Sequence, residues 1–374
     1  MSSSLRELLT DEVRDLPVEP VPVDAVIGDG RRRLRRRRAV SAIGACAAVA
    51  LAALTVQAVS SGSNDGGVAP AGEGFEQRKV TYATASTIQY GDQQIDVSPH
   101  QVWTFVQTDD GFVFTTKAGG VYLADGATVE RIGEARGWNV LAADDSGSEV
   151  AWVDGEGAAE VVVYDTSARA EVSRAPVDRA AVDGVWYDSD APYVIAVDDG
   201  TVYWADGRGV VAWDVARQTD DVVVAHEDVF YVLDVVEDQF LQVWTPGSRA
   251  ILVVSADPNA RQPRFPQLDG SELSPSAAFV AIRDGYHPNS RVYDVASQTD
   301  VTPTSSGYVS VQFVQWVDDD HYLARALPER RGQADVLTCS ITGGTCRLAA
   351  ESIGSAAELR FPTGHAPYWL WPAS

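Results

Sequence analysis

Lysine is nearly missing from this 374-residue sequence, with two lysines against 27 arginines. Histidine occurs five times, cysteine three times and methionine once. Each shortage excludes something. His100, His226, His287, His321 and His365 are scattered. With so few cysteines they leave no cluster of zinc-ligand spacing, and no metal or cofactor is assigned. Gly-x-Ser-x-Gly, His-Glu-x-x-His and P-loop motifs are absent, so no hydrolase elbow, zinc protease helix or nucleotide cradle is legible. An Asp-x-Asp-x-Asp-Gly calcium loop is also missing, and Asp188-Ser189-Asp190 is a weak substitute. A catalytic site assembled from distant segments stays open. Positive charge is short overall, with 29 basic against 53 acidic residues and a net of −24. Such a balance repels nucleic acid and anionic headgroups.

One long apolar run stands out. Ala39 to Val59 is 21 residues without a charge. As a helix it is roughly 30 Å long, the thickness of a bilayer's hydrocarbon core. Arg31, Arg32, Arg33, Arg35, Arg36, Arg37 and Arg38 flank it on one side. Arginine excess marks the cytoplasmic side, so the reading is a single span with the N-terminus inside and the remainder outside the cytoplasm. The run has two other readings. A cleaved signal peptide is disfavoured by the 38 residues that precede the run. A lipoprotein box at Ile43-Gly44-Ala45-Cys46 is disfavoured because the run continues past Cys46. The domain plan is therefore a cytoplasmic tail (1–38), a transmembrane helix (39–59), a flexible Ser/Gly/Ala-rich linker (60–76) and an extracytoplasmic domain (77–374).

Charge divides along that plan. Residues 1–60 hold 9 Arg and 7 acids, leaving 20 basic and 46 acidic residues, a net of −26, for the remainder. Only Cys339 and Cys346 lie outside the run's side of the chain. They flank a polar, Gly-rich segment that reads as a hairpin, with either a two-residue turn or a four-residue loop from Ile341 to Gly344. Both place the two cysteines opposite each other, within disulfide range. An oxidising compartment keeps such a bond.

From about Gln77 the texture becomes short alternating strands rich in Val, Tyr and Trp, broken by Asp and Gly, which predicts an all-β domain. Turn markers recur at Asp92, Asp125, Asp165, Asp214, Asp257, Asp294 and Ser340. Their spacing of about 41 residues suits one four-stranded propeller blade. Seven markers predict seven blades, with six or eight as the alternatives. The first blade lacks an inner strand, which residues 355–362, "SAAELRFP", are placed to supply, removing open sheet edges.

These segments resemble the WD-repeat and TolB-like propeller families. Trp213-Asp214, Tyr164-Asp165 and Tyr293-Asp294 sit where those families end a third strand. "LSPSAAFVAI", residues 273–282, is similar to the TolB-like Ser-Pro-Asp-Gly turn but departs from it at Ser276 and Ala277. The resemblance implies a propeller over about residues 77–361 and little about function. The tail resembles those of single-pass actinobacterial regulators, some similar to anti-sigma factors. The arginine bias fits a high-GC Gram-positive source. Leu5, Leu8, Leu9, Val13 and Leu16 give the tail a helical apolar stripe that could dock a cytoplasmic partner or lie on the membrane.

Function is thus read as binding, sensing or scaffolding by a membrane-anchored propeller. The alternatives are a transmembrane regulator and an extracytoplasmic enzyme with a site at the channel. First-to-second strand turns carry eleven acids, from Asp109 to Asp320, and belong on one face. Asp in turns bonds its own backbone, so turn chemistry is the plainer account of them. Second-to-third strand loops belong on the other face, and include Lys117, Arg208, Arg249, Tyr286, His287, Arg330 and Arg331, offset by Asp154, Glu156, Asp206, Asp284 and Glu329, which makes that face near-neutral in an acidic domain. Long loops on a rigid scaffold are common binding elements. Tyr286, His287, Arg330 and Arg331 are therefore the expected contact residues for a protein or cell-envelope partner.

Overall fold

A computed structural model of the chain describes residues 74–374 apart from 137–139, 145–146, 156–158, 179–191, 226–230, 245–250, 259, 261–263, 267–270, 284–287, 330–331, 356–357 and 366–374. The tail, the apolar run with its arginines, and the linker up to residue 73 lie outside the described residues. So do Tyr286, His287, Arg330 and Arg331.

Among the described residues the chain forms 27 strands in seven antiparallel sheets. The second blade is β4 (Thr104–Thr108), β5 (Gly111–Thr115), β6 (Gly120–Ala124) and β7 (Val129–Glu134), in that order outward. The third is β8 (Ala142–Ala143), β9 (Glu149–Val153), β10 (Glu160–Asp165) and β11 (Ala170–Pro176). The fourth is β12 (Tyr193–Asp198), β13 (Thr201–Asp206), β14 (Gly209–Asp214) and β15 (Thr219–Ala225). Then come β16 (Tyr231–Val236), β17 (Gln239–Trp244), β18 (Ile251–Ser255) and β19 (Arg264–Pro266) as the fifth. The sixth has β20 (Ser271–Leu273), β21 (Phe279–Ile282) and β22 (Arg291–Asp294). Its fourth strand is an irregular segment, tied to β22 by Thr299 and Val301 backbone bonds. The seventh is β23 (Ser310–Trp316), β24 (His321–Leu327), β25 (Asp335–Ser340) and β26 (Thr345–Ala350).

The first blade is composite. Its outer three strands are β1 (Thr81–Thr84), β2 (Thr87–Tyr90) and β3 (Gln93–Asp96), and its innermost is β27 (Leu359–Arg360). Ala83 pairs with Arg360 and Thr84 with Leu359. The predicted closing strand is therefore in place. Both faces of every blade meet a neighbour, so strand alternation buries side chains on both sides. First strands read accordingly: every residue of β4 is buried, whereas β15 and β26 are mostly exposed.

The core is divided seven ways. Among the described residues, seven separate clusters of buried side chains occur, and each joins two adjacent blades. Trp204 and Trp213 of the fourth blade pack edge-on to each other, 6.0 Å between ring centres, in one cluster with Val161 and Val163 of the third. Leu359 and Phe361 close the last interface against Leu323 and Val336 of the seventh. Phe75, counted above with the linker, is buried against Tyr90 and Phe112, at 5.2 and 5.3 Å between ring centres.

All seven turn markers fall between a third and a fourth strand, and their chemistry is local. Oδ1 of Asp125 accepts from the Ala127 and Thr128 amides, and that of Asp165 from Ser167 and Ala168. Asp214 accepts from Arg217 and Asp294 from Ser297. In the seventh blade Ser340 Oγ takes the same role with the Gly343 amide. The turns of Asp165, Asp214, Asp294 and Ser340 then close on a residue of positive φ four positions on, Arg169, Gln218, Gln298 and Gly344, whereas Gly126 directly follows Asp125. Burial pushes the Asp125 carboxyl up, but the Thr128 and Ala127 amides and Arg169 together hold it down at about 2.

Cys339 and Cys346 stand directly opposite each other across β25 and β26 and form a disulfide, with Cα atoms 3.9 Å apart. The loop between them is the four-residue one, Ile341 to Gly344.

Candidate functional site

A propeller's strands alternate direction, so its connections sort onto two rims. First-to-second and third-to-fourth turns share one, here the turn rim. Second-to-third loops share the other, the loop rim.

The turn rim carries the acids, and the described ones are largely engaged. Asp199 and Gly200 have φ of 45° and 77°, and Glu237 and Asp238 have 49° and 60°. Two central residues of positive φ make a tight hairpin turn that matches the twist of the flanking strands. Asp198 Oδ2 accepts the Asp238 amide from the next blade. Asp319 Oδ1 likewise accepts the Ser276 amide from the preceding blade. Asp318 caps its own turn through the Asp320 and His321 amides, and Asp320 holds Ser340 and Thr342. Asp110 accepts from Thr166 of the third blade. The carboxylates stitch turns and neighbouring blades together. Among the described residues no three His, Cys, Asp or Glu side chains are grouped to hold a metal ion.

That crowding has an electrostatic cost. Burial raises the Asp198 carboxyl to about 6, with Asp238 and Asp144 adding to the rise and the Asp238 and Glu237 amides opposing it. Burial, then Asp238 and Asp198, push the Tyr203 hydroxyl to about 12. Burial also raises Asp109 and Glu149, helped in each case by Asp144. A carboxyl whose folded pKa lies above its unfolded value favours the fold below the unfolded pKa. That contribution is lost as pH rises through the folded pKa. Asp198→Asn should therefore leave stability near pH 4 little changed and raise it above pH 6. The gain expected at pH 8 is about 1–2 kcal/mol after discounting for solvent screening. Thermal melts of both proteins across pH 4–8 measure this, and parallel curves would refute the assignment.

On the loop rim, Arg208 is a strut. It meets Asp206 at 2.8 Å and Asp220 at 2.6 Å. Asp206 is fully buried and also accepts Trp204 Nε1 and the Asp178 amide. Burial opposes its ionisation, but Arg208, Trp204 and two amides outweigh that and lower its pKa. Asp154 is similarly engaged by Arg174, which also holds Glu160 and Glu171. Lys117 is the other described cation of the expected patch. It lies 5.6 Å from the Trp103 ring, and Arg360 lies 5.2 Å from the same ring.

Sequence reading missed a buried cation, Arg325. Arg325 sits on β24, two residues before the strand's loop-rim end, and is 6% exposed. Its Nη2 donates to Gln312 Oε1 on the paired position of β23. Arg283 follows β21 on the same rim, in the sixth blade. His365 belongs to a segment that returns along the inner edge of the second and third blades. There Gly364 N donates to Phe105 O, and Leu141 N donates to Gly364 O. Burial and Arg283 together lower Arg325 to about 10, and the same two causes lower His365 to about 4. The signal available in sequence was a charge inside an apolar strand, "YLARAL".

No family model and no curated protein matches the sequence. Among solved structures, a chain of the mitotic checkpoint complex is 12% identical at a TM-score of 0.43, covering 80% of this chain and 87% of that one. U3-55K is 12% identical at 0.45, over 67% of this chain and 81% of its own. TolB from Acinetobacter baumannii is 13% identical at 0.37, over 67% and 62%. These likenesses concern architecture, which the seven sheets already establish.

Proposed function

We propose that the chain is a non-enzymatic recognition scaffold, a propeller carried outside the cytoplasm on a single N-terminal span, that binds a protein or cell-envelope partner through its loop rim. The contrast between the two rims carries the reading. On the turn rim, Asp110, Asp198, Asp318, Asp319 and Asp320 cap turns or bridge blades, which explains their presence without a ligand. The loop rim sets Lys117, Arg208, Arg283, Arg325 and Arg360 beside Asp154, Asp206 and Glu329, and is thus near-neutral in a strongly acidic chain. Charge complementarity of this kind steers encounter and suppresses wrong partners.

The apolar run at 39–59 and its arginine flank support the location. A disulfide between Cys339 and Cys346 is in keeping with an oxidising compartment. A reporter fused after Ser374 should be active only outside the cytoplasm, and cytoplasmic activity would overturn the location.

Recognition is tested by capture from cell-envelope extracts with the full-length protein. Replacing Arg330 and Arg331 by Ala should weaken capture of whatever wild type retains and flatten its salt dependence. Replacing Asp318, Asp319 and Asp320 by Asn should change capture little once corrected for lost stability. The reverse pattern moves the site to the turn rim.

A further inference from the structure

We propose that the turn-rim end of the wedge between the first and second blades is a peptide site, occupied by the chain's own residues 74–78, that takes a bent partner segment with an aromatic anchor followed by a basic residue. The resident segment is held as a bound peptide is held. It turns at Phe75 and Glu76 and belongs to no strand. Phe75 is the anchor, 9% exposed, with its ring 5.2 Å from that of Tyr90 and 5.3 Å from that of Phe112. Tyr90 and Phe112 meet edge to face at 5.6 Å, so the anchor completes a three-ring cluster. Gly126 borders the tip of the Phe75 ring, where a Cβ would lie 3.4 Å from it. Backbone bonds fix the direction of the segment. Phe75 N donates to Asp109 O. Gln107 Nε2 donates to Phe75 O at 2.7 Å and to Gln77 O at 3.0 Å, and the Tyr90 hydroxyl also donates to Gln77 O. The wedge thus reads one aromatic side chain and the main chain around it, and a buried aromatic in a dry pocket is the usual centre of such recognition.

Two features of the fit leave room for a better occupant. Gln107 is 2% exposed, and its Oε1 is buried without a hydrogen-bond partner while its Nε2 serves two carbonyls of the segment. A buried acceptor left unpaired is costly, so a segment that brings one more N–H or O–H to this carboxamide gains affinity. Charge is the second feature. Glu76 directly follows the anchor, and the bond from Phe75 N to Asp109 O sets it within one residue of the Asp109–Asp110 turn. A carboxylate there meets like charge, whereas Lys or Arg in its place meets opposite charge. The resident segment has one compensating advantage, its attachment. An intramolecular competitor acts at an effective concentration of roughly millimolar, so the site opens to a partner that fits better than the resident. Release unpairs no sheet, because residues 74–78 precede β1. The site lies on the rim opposite the loop-rim contacts and does not rest on them.

The probe is a fluorescein-labelled peptide, Gly-Phe-Lys-Gln-Arg with blocked ends, titrated with full-length protein in detergent and followed by fluorescence anisotropy. Phe75→Ala weakens the resident segment, so this variant should bind the peptide roughly tenfold or more tightly than wild type. A peptide with Ala in place of Phe should bind neither protein. One with Glu in place of Lys should bind the Phe75→Ala protein roughly threefold or more weakly, a gap that narrows with added salt. Adding Gln107→Leu to Phe75→Ala should cost roughly tenfold in affinity. Should Phe75→Ala fail to fold, Glu76→Lys decides, since Glu76 is exposed and the change improves the resident segment. It should raise the melting midpoint at low salt and not at high salt, and an unchanged or lowered midpoint at low salt overturns the proposal. Equal binding by wild type and Phe75→Ala overturns it too, as does equal binding of the Phe and Ala peptides. A wild-type dimer that the peptide dissociates would assign the wedge to the same segment of a second copy and overturn the partner assignment.

Discussion

Gly364→Ala should open the ring. This glycine has φ +71°, and a Cβ added there would lie 1.8 Å from the Leu141 carbonyl oxygen. The obstacle is backbone, so no side chain can swing aside. The residue also anchors the segment that follows the closing strand, through bonds to Phe105 and Leu141. Closure itself rests on two register pairs and on Leu359, which is fully buried. Leu359→Ala is expected to cost about 2–5 kcal/mol, as large-to-small changes in a packed core do. Leu241→Ala, at the fifth–sixth interface, removes a side chain of the same size and burial. The two should lower the melting midpoint alike, but differ in where amides exchange. Only Gly364→Ala and Leu359→Ala should expose the amides of β1 to rapid hydrogen exchange. If Leu241→Ala exposes β1 equally, closure is not the ring's weak seam.

The second large effect is expected at Asp206. Asp206→Ala should destabilise by about 3–5 kcal/mol, the loss typical of breaking a buried charge pair and stranding its partners. Trp204 Nε1 and the Asp178 amide lose this acceptor at once, and Arg208 is left with Asp220. Asp206→Asn keeps one acceptor oxygen and should lose distinctly less. The sign with pH follows from the lowered pKa. A carboxyl of depressed folded pKa stabilises above its unfolded pKa, and that stabilisation is lost as pH falls through the folded value. The gap between wild type and Asp206→Ala should therefore be full at pH 7 and shrink below about pH 4. A gap independent of pH would mean that packing, not charge, is what the residue supplies.

Turn chemistry made much of this fold legible in advance. Asp125, Asp165, Asp214 and Asp294 act within three residues of themselves, so their spacing announces the blade period directly. The missing inner strand of the first blade was legible by counting, and β27 fills it. Contacts made across the ring are another matter. Nothing near Gly364 in sequence says that it will bond Phe105 and Leu141, because ring closure sets that proximity. Arg208 was read as a surface cation, whereas Asp206 and Trp204, two and four residues before it, make it part of a buried knot. Alternation gave their faces, but not the depth at which they meet.

Division of the interior into seven clusters bears on how such a chain can drift. Each cluster has to be complementary only between two neighbours. The third–fourth interface does so with two tryptophans, the first–second with phenylalanines and Tyr90, the seventh–first mainly with aliphatic side chains. A substitution in one wedge is felt by one adjacent face and stops there. Interfaces can therefore change composition independently while the ring persists. The backbone-capping aspartates answer to their own turns and have no such latitude. A lineage under these constraints would lose recognisable sequence in its apolar positions first and keep a sparse punctuation of turn residues.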